Sequence, residues 1–168
     1  GAPPDMYSAQ GQMWGFPVYD WGAMAADGYA WWKARLARAA RFFHAFRIDH
    51  VLGFFRIWQV PATESNGLLG WFDPAEACTR ADLAAAGFDD AAVRWLSVPH
   101  VRGDDLRARL GGDAVRVAQR YLAKIGAEDL YNLREGLDRE DAIRALDEPY
   151  AVREALYRWH ADRALLAA

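Results

Sequence analysis

Hydrophobic residues recur with a helical period after Asp27. The recurring positions are separated by four, three, four and three residues, a spacing that places side chains on one face of a helix. They are Trp32, Leu36, Ala39, Phe43 and Phe46. The pattern therefore predicts a helix over residues 28–45 with one buried face.

The next stretch, "FRIDHVLGFFRIW", has no helical period and is rich in β-branched and aromatic residues. It predicts a buried strand near residues 47–53. Side chains alternate across a strand, so Arg47 and Asp49 would share one face and His50 the other. A buried carboxylate needs a partner. Arg47 and Asp49 therefore form either an ion pair that fixes the strand or a functional pair.

The remaining sequence is irregular at the start and helical at the end. Residues 1–26 carry Pro and Gly among aromatic residues, which predicts a turn-rich loop. A second loop follows Pro61, and Thr79 and Asp113 suit helix caps, while Pro149 suits a first helical turn. The helices are predicted at residues 79–86, 89–97, 103–110, 113–125, 127–135, 138–146 and 149–166.

Composition narrows the range of functions. The formal charge is −3, whereas proteins that bind nucleic acid typically carry an excess of positive charge. No apolar run is long enough to span a membrane. A single cysteine, Cys78, excludes an intrachain disulfide and favours a cytoplasmic location. Eight tryptophans suit a large core or a site for amphipathic ligands such as sugars. Since the first residue is Gly1 and the helical pattern runs to the end, we expect a segment of a longer protein.

Few motifs carry chemistry. No glycine-rich phosphate loop and no histidine pair with metal-ligand spacing is found, so we expect neither a cofactor nor a metal. Glu128 and Asp129 are adjacent, but neighbouring residues of a helix point in different directions, so a solvated helix start is expected. Asp49 is therefore the best candidate for chemistry.

Three stretches in order, "GAPPDMYSAQGQMWGFPVYDW", "GYAWWKARL" and "FRIDHVLGFFRIWQVP", resemble the 4-α-glucanotransferases, also called the amylomaltase or disproportionating-enzyme family. "NGLLGWFDPAEACTRADL" and "VPHVRGDDLRARLGG" resemble its longer plant and bacterial branch, the disproportionating-enzyme-2-like proteins. The resemblance implies an α/β fold, a slice of a (β/α)8 TIM barrel. Residues 1–61 would belong to the catalytic barrel and residues 62–168 to a mainly helical insertion. The chain alone is expected to be mostly helical, with one or two short strands.

The resemblance also implies a chemistry. Asp49 would be the nucleophile of a retaining glycosyltransferase that acts on maltooligosaccharides and α-glucans, and Arg47 would orient it and keep it ionised. Gln12, Trp14 and His50 would bind substrate. Asp5 and Tyr7 are further candidates for substrate binding, or they build turns.

One part of the family pattern is not found. The family needs a glutamate acid/base in a "GEDLG"-like motif and a further aspartate. Glu128 and Asp129 in "GAEDLYN" imitate that motif, but Tyr131 replaces its glycine. We therefore expect the acid/base to lie outside this chain and the chain alone to be inactive. The alternatives are a non-catalytic glucan-binding module and a helical scaffold fragment.

Overall fold

A computed structural model describes residues 1–166 of the chain, which form short helices joined by loops and two small sheets. Short 3₁₀ helices lie at Val51–Phe54 and Gly111–Asp113. The α-helices are α1 (Trp21–Ala26), α2 (Ala30–Ala40), α3 (Arg80–Ala85), α4 (Asp90–Ser97), α5 (Gly103–Leu110), α6 (Ala114–Tyr121), α7 (Glu140–Arg144) and α8 (Tyr150–Ala161). Residues 167 and 168, at the end of the predicted insertion of residues 62–168, lie outside the described residues.

Both sheets are antiparallel. In the first, β1 (Ile57–Gln59) pairs with β2 (Trp71–Asp73). In the second, β5 (Leu130–Leu133) lies between β3 (His100–Arg102) and β4 (Leu122–Lys124). Residues 1–166 therefore contain five short strands, so the prediction of one or two strands is wrong. The mixture of helices and small sheets agrees with an α/β segment.

The hydrophobic core lies in the second half of the chain. Its buried side chains come from β3, α5, α6, α7 and α8 and from the loops between them. Fully buried members are Val101, Val117, Ile143, Leu156 and Tyr157. Val101 belongs to β3, and the other four lie on the buried faces of α6, α7 and α8. Such one-sided burial of amphipathic helices is why the sequence predicts most of the helices here.

Two predicted caps lie next to helices. Thr79 forms a capping box with Asp82 at the start of α3, in which each side chain accepts a hydrogen bond from the backbone N–H of the other residue. Asp113 directly precedes α6, but its carboxylate accepts a hydrogen bond from Arg116 Nε at 3.1 Å instead of capping the helix. Pro149 directly precedes α8.

The helix predicted at residues 127–135 is wrong. Residues 122–133 form a hairpin, in which Gly126 has a φ of +54° and turns the chain between β4 and β5. Glycine adopts the left-handed backbone conformation without strain, and Gly126 interrupts the predicted helical pattern. The helix predicted at residues 113–125 therefore ends at Tyr121.

The strand predicted near residues 47–53 is also wrong. His50 adopts the left-handed conformation, with φ 51° and ψ 50°, and the 3₁₀ helix follows it. A strand begins only at Ile57. The apolar residues of this stretch form a turn beside a groove, and they do not pair with a strand.

The buried face predicted for residues 28–45 is wrong as well. Helix α2 ends at Ala40, and its Trp32 and Leu36 are half-buried. Phe43 and Phe46 lie beyond the helix and are 63% and 50% exposed. All these side chains line one open groove, so their periodicity reflects the wall of that groove instead of a core.

Candidate active site

A groove of about 890 Å³ lies between the N-terminal loop, α2 and the segment that contains the 3₁₀ helix Val51–Phe54. Its volume is within the range of pockets that bind small molecules. The candidate residues Trp14, Arg47, Asp49 and His50 all line it. The structure therefore brings four of the predicted site residues to one surface.

One wall of the groove is an aromatic cluster. The Tyr19 ring lies 5.1 Å from that of Trp21 and 5.5 Å from that of Trp32, measured between centroids. Phe54 closes the cluster, with its ring 5.6 Å from Trp21 and 5.2 Å from Trp32. Tilted aromatic contacts of this kind hold their partners in place, and the exposed ring faces suit the apolar faces of sugar rings.

Arg47 and Asp49 form an ion pair at the edge of this groove. The distance from Arg47 Nη2 to Asp49 Oδ1 is 3.4 Å, and both side chains are 89% exposed. The prediction that the pair is buried on a strand face is therefore wrong. An exposed pair of this length adds little stability, because water screens both charges. Its geometry instead leaves the Asp49 carboxylate open to a ligand in the groove.

His50 follows Asp49 at a sharp turn of the backbone. Its imidazole packs over Gly53, where a Cβ atom would lie 2.8 Å from His50 Cδ2. The Trp14 ring meets the imidazole edge-to-face, with centroids 5.8 Å apart. The turn therefore directs His50 into the same groove as Asp49, which strand alternation would have prevented.

Gln12 holds the Trp14 indole. Trp14 Nε1 donates a hydrogen bond to Gln12 Oε1 at 2.8 Å. The Gln12 backbone exchanges two hydrogen bonds with Ala2, both of 2.9 Å, which fixes the N-terminal loop as a closed turn. The Gln12 amide NH₂ stays available as a donor to a ligand hydroxyl.

Asp5 and Tyr7 lie in the same loop but away from the groove wall. The Asp5 carboxylate accepts hydrogen bonds from the backbone N–H groups of Tyr7 and Ser8, at 2.9 and 2.7 Å. This is the geometry of a turn-building aspartate. The Tyr7 side chain is exposed. A substrate-binding role for these two residues stays a prediction.

The sequence of the chain matches a known family. Residues 1–159 match the family model of the 4-alpha-glucanotransferases, glycoside hydrolase family 77. The chain belongs to this family. The resemblance in the N-terminal motifs is thereby confirmed for nearly the whole chain.

Several 4-alpha-glucanotransferases are similar in sequence. The chain is 39% identical over 145 residues to 4-alpha-glucanotransferase DPE2 of Oryza sativa subsp. japonica, which covers 86% of the chain and 15% of that protein. It is 46% identical over 121 residues to the chloroplastic/amyloplastic DPE1 of Arabidopsis thaliana, which covers 71% of the chain and 21% of that protein. The Chlamydia pneumoniae 4-alpha-glucanotransferase is 50% identical over 58 residues, 34% of the chain and 11% of that protein.

The chain thus spans about a fifth or less of the length of these curated relatives. No solved structure matches it.

Glu128 and Asp129, which imitate the acid/base motif of the glucanotransferase family, lie in the turn of the β4–β5 hairpin. Asp129 accepts hydrogen bonds from Arg107 Nη2 at 2.8 Å and from the Tyr131 hydroxyl at 3.2 Å. The hydrogen bond from Arg107 lowers the pKa of Asp129, which disfavours the protonated form that a general acid requires. These contacts support a structural role for Asp129.

One buried polar cluster was not predicted. Glu64 and His160 approach each other at 3.5 Å, and Glu140 accepts a hydrogen bond from the backbone N–H of Ser65 at 2.6 Å. The Tyr157 hydroxyl donates to Asn66 Oδ1 at 2.6 Å. Partners 75 to 96 residues apart in the chain leave no local pattern, so this cluster could not be predicted from the sequence.

Two further features are absent from residues 1–166. No cluster of three or more His, Cys, Asp or Glu side chains there has a geometry that could hold a metal ion. None of the described helices combines the length and apolar character needed to cross a membrane.

Proposed function

We propose that this chain is the nucleophile-bearing segment of a retaining 4-α-glucanotransferase, with Asp49 as the nucleophile. The observation that carries the proposal is an exposed carboxylate, paired with Arg47 and adjacent to His50, on a groove with an aromatic wall. The names of the related proteins support glucan transfer as the activity.

In the proposed reaction, an Asp49 carboxylate oxygen attacks the anomeric carbon of a bound α-glucan. The bond to the leaving glucan oxygen breaks, and that oxygen takes a proton from an acid/base glutamate elsewhere in a longer protein. A β-linked glycosyl-enzyme results. The hydroxyl of a second glucan then attacks the same carbon, gives its proton to the acid/base and releases Asp49 with net retention. Arg47 orients the carboxylate in both steps.

The proposed substrates are maltooligosaccharides and larger α-glucans, such as those of starch and glycogen. The Trp14 indole offers a flat face for a pyranose ring, and the Gln12 amide NH₂ offers a donor for a sugar hydroxyl. His50 lies beside Trp14 and would contact the same sugar. Aromatic side chains that cover the bound sugar would favour a glucan acceptor over water by excluding solvent from that sugar.

The wider setting is proposed on the same basis. Residues 1–61 would form part of a (β/α)8 barrel and residues 62–168 a mainly helical insertion. The match to rice DPE2 over 86% of the chain supports the longer, disproportionating-enzyme-2-like branch. The single cysteine, Cys78, supports a cytoplasmic location.

Replacement of the nucleophile tests the proposal, in a protein of the relatives' length that contains this segment. Asp49→Asn keeps the shape of the side chain but removes its charge and nucleophilicity, so glucosyl transfer should fall by several orders of magnitude. Maltoheptaose binding, measured by calorimetry, should persist. Glu128→Gln is the control, because it changes a carboxylate of the hairpin turn and should leave transfer unchanged. Near-normal turnover in Asp49→Asn would contradict the assignment.

A further inference from the structure

The segment of residues 62–70, here called the bridging loop, joins the helical core to the groove. On its core side, the fully buried Tyr157 donates a hydrogen bond to Asn66 Oδ1 at 2.6 Å. Burial raises the pKa of Tyr157, so the hydroxyl keeps its proton and acts as a donor at all ordinary pH values. Ser65 is held in the same way by the buried carboxylate of Glu140, through its backbone N–H and its hydroxyl.

Asn66 also shapes the turn that follows it. Its Oδ1 atom accepts a second hydrogen bond, from the backbone N–H of Leu68 at 3.1 Å. An asparagine that bonds two residues ahead closes an Asx turn and fixes the residue between. That residue is Gly67, so the Tyr157 hydroxyl and the turn share one acceptor atom.

Gly67 is the point where the bridging loop meets the N-terminal loop. Its backbone N–H donates to Gln10 O at 2.8 Å, and its carbonyl accepts from Trp58 Nε1 at 3.1 Å. A Cβ atom at this position would collide with Ala2 O and would lie 2.8 Å from Gln12 N. The backbones are therefore in direct contact, and a shift of Gly67 must move Gln12.

Gln12 in turn carries the Trp14 indole on its side-chain oxygen, at 2.8 Å. A second link runs in parallel, because Gln10 Nε2 donates to Glu154 Oε1 on α8 at 3.1 Å. Helix α8 thus holds the N-terminal loop at two points, through Asn66 and through Gln10.

We propose that Tyr157 and Asn66 are positioning residues for the groove: their hydrogen bond sets the place of Gly67 and, through Gln12, the orientation of the Trp14 indole. The inference rests on the proposed function for its glucan consequence, since Trp14 is the residue assigned to sugar stacking. It gives the helical half of the chain a role in substrate binding, although no residue of α8 lines the groove.

The chain offers a matched control for this hydrogen bond. Tyr121 is also buried in the core, and its hydroxyl donates to the buried Glu148 at 2.8 Å. Within residues 1–166, neither Tyr121 nor Glu148 forms a hydrogen bond with the bridging loop. Tyr157→Phe and Tyr121→Phe therefore each remove one buried hydroxyl, but only the first variant loses the link to Asn66.

The test measures two properties of the 168-residue chain and its variants. The indole N–H signal of Trp14 in a ¹H–¹⁵N NMR spectrum, assigned with Trp14→Phe, reports the hydrogen bond to Gln12. Calorimetry measures the Kd for maltoheptaose. Tyr157→Phe should shift or broaden the Trp14 signal and raise Kd about threefold to tenfold, the range expected for one lost hydrogen bond. Tyr121→Phe should leave both unchanged, although thermal unfolding shows a comparable loss of stability.

Other outcomes separate this inference from the proposed function. An unchanged Trp14 signal in Tyr157→Phe, or equal changes in the two variants, would overturn the positioning role. If the Trp14 signal moves only in Tyr157→Phe but the unaltered chain does not bind maltoheptaose, the positioning role stands and the glucan function fails. If Tyr157→Phe does not fold, Asn66→Ala removes the acceptor of the same hydrogen bond and must move the same Trp14 signal; an unmoved signal would overturn the inference.

Discussion

Trp14 is the aromatic residue that the proposed function assigns to sugar stacking. It is 42% exposed, with its indole N–H held by Gln12 and its ring edge-to-face with His50. An exposed aromatic ring held by its polar end presents its face to a ligand at little further entropy cost. Gln12 and Trp14 could be named from one short motif, "GQMWG", whereas His50 belongs to a second motif, "RIDH".

Trp14→Ala should remove the stacking surface without unfolding the protein. In a protein of the relatives' length we expect kcat/KM for maltooligosaccharides to fall by the equivalent of about 1–3 kcal/mol. Trp95→Ala is the control, because Trp95 has a similar exposed fraction, 47%, and stacks on His100 away from the groove. Unchanged kinetics in Trp14→Ala would make Trp14 a packing residue.

A second residue of consequence, Glu148, lies in the core. Its carboxylate is buried and accepts hydrogen bonds from Arg116 at 2.7 Å, Arg120 at 3.2 Å and Tyr121 at 2.8 Å. The hydrogen bond from Arg116 is the main reason that the pKa of Glu148 is lowered. A lowered pKa in the folded state means that folding favours the ionised carboxylate.

The stability of the chain should therefore depend on Glu148 at acid pH. Its contribution is fully present above the unfolded-state pKa of about 4.3 and is lost as the pH falls through the lower folded-state pKa. Glu148→Gln should destabilise the chain at neutral pH by roughly 1–3 kcal/mol and flatten this acid-dependent loss. Urea unfolding between pH 3 and 7 measures both effects. Glu135→Gln, at an exposed glutamate, is the control, and an identical pH profile in Glu148→Gln and the unaltered chain would refute the prediction.

Among the elements, the bridging loop has little room for change. Gly67 lies against the backbones of Ala2, Gly11 and Gln12, and Gly11 itself needs a φ of +63°. Close backbone approach is the reason for glycine at both positions. The conformation of the bridging loop therefore also constrains that of the N-terminal loop.

Gly67→Ala should push the N-terminal loop away from the bridging loop. The added methyl group collides with backbone atoms that cannot rotate aside, so we expect a loss of about 1–3 kcal/mol in the free energy of unfolding. Denaturant unfolding of the 168-residue chain measures it. Gly112→Ala is the control, because no atom lies within 4 Å of the new methyl group. Equal stability of Gly67→Ala and Gly112→Ala would contradict the close approach.

Elements with local signals were predicted well, and elements that depend on distant partners were not. Helix α5 has the predicted bounds of 103–110, and α3 begins beside its predicted cap, Thr79. The sequence predicts helix across the β4–β5 hairpin because β5 also needs the distant strand β3 as a partner. The strand prediction near residues 47–53 is wrong because an apolar run does not indicate the left-handed backbone conformation of His50.

At the scale of the whole molecule, the two halves of the chain differ in how deeply their apolar residues are buried. Residues 101–161 bury most of theirs in one core, whereas Phe42, Phe43, Leu52 and Phe55 in the first half are well exposed. The candidate site belongs to the exposed half. The sequence predicted Asp49, Arg47, His50, Gln12 and Trp14 through a family motif, but the support from Asn66 and Tyr157 depends on a fold that brings together residues 91 positions apart.

The proposed mechanism depends on a covalent bond between Asp49 and the sugar. The most direct measurement uses a protein of the relatives' length that contains this segment and has its acid/base glutamate replaced. A maltosyl fluoride donor needs little protonation of its leaving group, so the glycosyl-enzyme should form and then persist. Mass spectrometry of the digested protein should find the sugar on the peptide that contains Asp49, and no adduct in Asp49→Asn. A label on another carboxylate would contradict the account.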